Sequence, residues 1–90
     1  MDYRELVKVV VDDFVEEIVD NGFDTFADMA RCYQMESEDI RTEVASVINS
    51  TKEAFFGEDG VIVIFGEEPI KYRSFIADVR KDLKSKGIYE

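Results

Sequence analysis

Glu58-Asp59-Gly60-Val61-Ile62-Val63-Ile64-Phe65-Gly66-Glu67-Glu68-Pro69 is the stretch on which the fold class turns. Glu58-Asp59-Gly60 is a turn signal, and the five β-branched or aromatic residues after it read as a strand, Val61 to Phe65, covered on both faces. Gly66-Glu67-Glu68 then forms a hairpin loop before a short return strand, Pro69 to Tyr72. Proline has no N–H to give to a ladder, which confines that return strand to an edge. Outside this stretch the apolar residues recur at helical spacing. The fold class is therefore α+β and mostly helical: three N-terminal helices arranged like a helix-turn-helix, a small β-hairpin and a C-terminal helix, in a single domain over residues 1–90.

Upstream, Asp2-Tyr3-Arg4-Glu5 has the spacing of a capping box, so the first helix starts at Tyr3. Tyr3, Leu6, Val7, Val10, Phe14 and Ile18 keep a 3.6-residue period, and Val9, Val11, Val15 and Val19 widen the stripe beyond one face. This helix touches neighbours on two sides and ends at Asn21-Gly22, where glycine takes the left-handed closing conformation. Asp24 or Thr25 caps a short second helix through Phe26, Met29, Ala30 and Tyr33. Ser37 caps a third, with Glu38 and Asp39 in its first turn; Ile40, Val44, Val47, Ile48, Thr51 and Phe55 share a face, so it runs to about Phe56 and stops at Gly57. Downstream, Ser74, Phe75, Ile76, Val79 and Leu83 mark a last helix ending at Gly87. The expected core is Leu6, Val10, Phe14, Ile40, Val44, Ile48, Val63, Phe65, Phe75, Val79 and Leu83.

Composition excludes much ordinary enzyme chemistry. There is no histidine in the 90 residues, which removes the usual base of nucleophile pairs and the common zinc ligand. The one cysteine, Cys32, has no partner for an internal disulfide, and on a helix it reads as a small packing residue. No nucleophile and base, and no phosphate-cradling glycine loop, can be assembled, so the chain reads as no enzyme and needs no cofactor. No apolar run has membrane-spanning length, and the N-terminal residues lack the basic start and apolar stretch of a signal peptide; a cytoplasmic protein is expected.

The net charge of −10 is unevenly spread: residues 1–69 hold 18 acids and five bases, residues 70–90 three acids and six bases. Asp12, Asp13, Glu16, Glu17 and Asp20 form a ladder of like charges at three- and four-residue spacings on the first helix. Glu36, Glu38, Asp39 and Glu43 make a second acidic face at the start of the third. Each is either a solvated face or a docking surface for a basic partner. A calcium site fits poorly, since Asp20-Asn21-Gly22-Phe23-Asp24 has glycine at its third position and not its sixth. Lys71, Arg73, Arg80, Lys81, Lys84 and Lys86 form the basic counterpart, with no aromatic interleaved at its exposed positions for stacking on bases.

Phe26 to Ile48 resembles a helix-turn-helix, and with the hairpin and last helix the chain resembles a degenerate winged helix, in which Gln34 stands where the turn glycine belongs. The turn that would enter a DNA groove is Glu36, Ser37, Glu38 and Asp39, whose carboxylates repel a duplex, so direct DNA binding is disfavoured. In size, charge and architecture the chain resembles small acidic phage- or prophage-encoded inhibitors, the anti-CRISPR proteins among them. That resemblance implies a non-enzymatic binding protein, working in the host cytoplasm, whose acidic faces dock on a basic, nucleic-acid-binding surface of a partner protein and block it. The alternative is a helix-turn-helix transcription regulator touching DNA through the basic C-terminal segment. A homodimer through the free strand edge or the broad first-helix stripe is also expected.

Overall fold

The computed structural model describes residues 1–90. The elements run α1 (Tyr3–Asp20), α2 (Phe26–Cys32), α3 (Ser37–Ser50), β1 (Ala54–Phe56), β2 (Val61–Ile64), β3 (Ile70–Lys71) and α4 (Tyr72–Ser85). The mostly helical α+β class holds. The sheet is a three-stranded antiparallel meander in the order β1-β2-β3, with Phe55 opposite Val63 and Ile62 opposite Ile70.

Helix α1 forms where its sequence says it should. Asp2 lies in extended backbone and accepts the Glu5 N–H at 2.8 Å, and Asn21 closes the C-terminus. Its broad apolar stripe is largely used up within the chain, because α1 packs against α2, α3 and α4 together, although Val19 at its end stays exposed. Leu6, Val7, Val10, Val11, Phe14 and Ile18 are all buried. Burying side chains of this size contributes about 1.5–3 kcal/mol each, which makes α1 the element on which the others are assembled. Thr25, one of the two residues expected to cap α2, accepts the Asp28 N–H at 3.1 Å. The C-terminal segment holds α2 in place: Phe26 and Ala27 donate to the carbonyls of Ile88 and Tyr89, and the Phe26 and Tyr89 rings stack.

Several local expectations are corrected. Helix α3 is capped by Glu36 and not Ser37, and the Glu36 N–H donates to the Asp39 carboxylate at 2.8 Å. It ends at Ser50 and not near Phe56. Lys52 takes the left-handed conformation (φ 63°), the chain reverses, and 54–56 becomes the third strand. Asn49 helps this reversal by accepting the Phe56 N–H through its side-chain oxygen. The return strand shrinks to Ile70–Lys71, and α4 begins two residues earlier than expected, at Tyr72, whose N–H donates to Gly60.

Strand β2 is covered on one face only. Ile62 and Ile64 are buried while Val61 and Val63 are half-exposed, and Phe65 lies beyond the strand with 65% of its surface open. The expected core residues Val63 and Phe65 thus belong to the outer face, and Ile40 is only half-buried. Cys32, expected to be a packing residue, is exposed. The seventeen buried residues form one cluster without a polar or charged member.

Candidate functional site

The helical period divides the five acids of α1 between two rows. Asp12, Glu16 and Asp20 repeat every four residues and all are exposed. Asp13 and Glu17 occupy the neighbouring row, half-buried, where α1 meets α3. Glu43, one turn beyond Asp39 on α3, projects into the same place. Carboxylate oxygens of Asp13, Glu17 and Glu43 lie within 4.8 Å of one another. One member of the second acidic face, Glu43, therefore joins the acids of α1 at the α1–α3 contact.

Like charges this close are unfavourable, and burial adds to the cost by removing water from them. Both effects favour the protonated forms. Burial first, then hydrogen bonding to Glu43 and the charges of Glu43 and Glu16, pushes Asp13 up from 3.8 to about 6. Glu17 and Glu43 are raised as well, by burial first and next by the neighbouring carboxylate. Asp13 Oδ2 is shut off from solvent and receives no hydrogen bond from any N–H or hydroxyl of the chain. Only the protonated form, which is favoured below about pH 6, can satisfy it by sharing a proton with Glu43.

No cation of the chain relieves the cluster. The ion pairs are the N-terminal amine with Glu53, Arg4 with Asp82 and Arg31 with Asp28, so none of the nine candidate carboxylates is in one. The three clustered carboxylates can offer three oxygens to a hard cation, half of an octahedral set. Glu36, Glu38 and Asp39 stay apart at the α3 N-terminus, all exposed. Asp39 is partly committed there, since its carboxylate accepts the Glu36 N–H.

On α4, Phe75, Ile76, Val79 and Leu83 turn inward, leaving Arg73, Arg80, Lys81 and Lys84 exposed. The features missed in sequence are apolar. Phe55 (55% exposed) and Phe65, with Val63 between them, make an open outer sheet face; Phe55 had the spacing of a helix residue and Phe65 that of a buried strand residue. No helix is long and apolar enough to cross a membrane. Comparison of the chain with protein-family models, with curated proteins and with solved structures finds no match.

Proposed function

We propose that the protein is a non-enzymatic binding protein whose acidic α1–α3 surface docks on a basic, nucleic-acid-binding surface of a partner protein and blocks it, as small acidic phage-encoded inhibitors do. The observation that carries this reading is the meeting of Asp13, Glu17 and Glu43 with no intramolecular cation beside them. A cluster that costs stability in the free protein is relieved when a partner's lysine or arginine enters it, so its electrostatic energy favours association. The exposed row Asp12, Glu16 and Asp20 lies alongside and supplies the longer-range attraction that steers encounter. The acidic first turn of α3, with Glu36 and Glu38 free of ion pairs, disfavours a duplex as the partner.

The test is affinity capture from an extract of the expressing cells, with wild-type protein and with an Asp12→Asn, Glu16→Gln, Asp20→Asn triple variant, each at low and high salt. The expected result is a basic protein retained by the wild type at low salt, released by salt or by added nucleic acid, and bound more slowly by the triple variant. Equal association rates and equal salt dependence for the two proteins would reduce the α1 row to a solubility surface.

A further inference from the structure

Arg41 points away from the acidic cluster. It lies two residues from Glu43 on α3, hence on nearly the opposite side of the helix, and is half-buried against the sheet and the start of α4. Its guanidinium carbon sits 5.5 Å from the centroid of the Phe56 ring and 5.3 Å from that of Tyr72, and the two rings are set edge to face. Gly60 closes a third side: a Cβ there would fall 2.7 Å from Arg41 Nη2, so any larger residue in this left-handed turn (φ 79°) displaces the guanidinium. In a chain with 21 acids, this immobilised cation has no ion pair.

Arg41 opens onto a cavity of about 310 Å³ that is also lined by Lys71, Tyr72, Arg73 and Asp59. Neither Lys71 nor Arg73 is in an ion pair. Asp59, the one acid of the lining, is engaged by the Val61 N–H at 3.2 Å. Three cations against one acid leave the lining with two net positive charges. That matches a phosphate monoester, which carries about −1.5 to −2 at pH 7, better than a carboxylate or a phosphodiester, each with one charge. A guanidinium packed against two aromatic rings keeps N–H groups free for parallel hydrogen bonds to such an oxyanion. The α4 first turn contains no acid and its N-cap, Lys71, provides no side-chain acceptor, which leaves Asp59 as the one acid that faces an anion in this cavity. We propose that Arg41, Lys71 and Arg73 form a binding site for a phosphate dianion, either free phosphate or the terminal phosphate of a small metabolite, on the side of α3 away from the Asp13–Glu17–Glu43 cluster.

The test is an amide-resolved NMR titration of the full chain with sodium phosphate, with adenosine monophosphate and with a DNA duplex lacking terminal phosphates, ionic strength being held constant with chloride. Saturable shifts at Gly60, Val61, Lys71 and Arg73 with phosphate or with the nucleotide are expected, stronger at pH 7.5 than at pH 5.5 because the dianion forms above about pH 6. Tighter binding of the nucleotide than of phosphate would identify an organic phosphate as the ligand, and equal binding the free ion. A Lys71→Gln, Arg73→Gln double variant, both positions being exposed, should weaken binding by roughly tenfold or more with the melting temperature kept. Arg41→Gln should abolish it, and if that variant fails to fold the double variant decides. Non-saturating shifts, wild-type affinity in the double variant, or a duplex binding more tightly than both phosphate and the nucleotide would overturn the assignment.

Discussion

Asp13 on α1 and Glu43 on α3 place their carboxylates together across the interhelical contact, with oxygens no more than 4.8 Å apart and Glu17 completing the group. Protonation relieves the contact, so the folded protein binds a proton here more tightly than the unfolded chain does. The Asp13 carboxyl titrates near 3.8 when unfolded and at about 6 when folded. A raised acid favours folding at low pH: the contribution of Asp13 is greatest below about pH 4, declines as pH rises towards 6 and stays low above it. Asp13→Asn should remove this dependence. At pH 7.5 the variant should exceed the wild type by on the order of 1 kcal/mol, reduced from the full shift because the site is half-open to water, and at pH 4 the two should coincide. Urea midpoints at the two pH values measure this; a variant less stable at pH 7.5 would show that the ionised carboxylate is stabilising.

The inward pair of β2 is Ile62 and Ile64, fully buried between the helices and the sheet. Ile62→Ala should cost about 2–5 kcal/mol and Val44→Ala, in the centre of α3, about 2 kcal/mol, through lost methyl packing. Phe65→Ser should stay within about 0.5 kcal/mol, as expected for an exposed side chain outside the core. Denaturant unfolding of the three variants tests the strand's facing directly. A large loss for Phe65→Ser together with a small one for Ile62→Ala would reverse it.

The bounds of α1 were legible because cap, period and glycine stop all agree over Asp2 to Gly22, and the strand at 61–64 because no helical spacing competes there. Five consecutive apolar residues, however, contain no alternation, so which side of β2 faces inward is set by the packing of α1, α3 and α4 against it and not by the local sequence. The end of α3 was hidden for the opposite reason. Thr51 and Phe55 continue the helical period, and the break falls at Lys52, a residue that signals no turn. The candidate acids were legible one helix at a time, since spacing puts Asp13 above Glu17, but the arrival of Glu43 beside them depends on how α1 meets α3.

Gln34 and Lys52 both hold left-handed backbone, φ 53° and 63°, in the turns that follow α2 and α3. A side chain in that region costs roughly 1–2 kcal/mol, which glycine avoids while bringing extra entropy to the unfolded chain. Both residues are exposed, so no packing is lost on removing them. Gln34→Gly, which restores the turn glycine missing from the helix-turn-helix pattern, should therefore raise stability by about 0.5–1 kcal/mol and the melting temperature by a few degrees. Lys52→Gly should do the same. A fall in melting temperature for either would show that its side chain holds the turn.

The last expectation concerns self-association, and the fold narrows where it occurs. The first-helix stripe is covered by α2, α3 and α4 except at Val19, and the outer face of the sheet is left open, where Phe55 and Phe65 are 55% and 65% exposed on either side of Val63. The cavity beside Phe55 and Val63 is bordered by Glu58 and Asp59, so two copies meeting there bring apolar centres together and acids close to acids. Pairing through this face should strengthen with salt as the carboxylates are screened over about 8 Å or less, whereas docking of the α1–α3 surface on a basic partner should weaken. Sedimentation of the wild type at high micromolar concentration should then show a dimer that grows with added salt, and a Phe55→Ser, Phe65→Ser variant should sediment as the 10.4 kDa monomer. A wild type that stays monomeric at both salt concentrations would leave the two phenylalanines as surface open to a different partner, and the opposite salt responses would separate that partner from the one held by the acidic face.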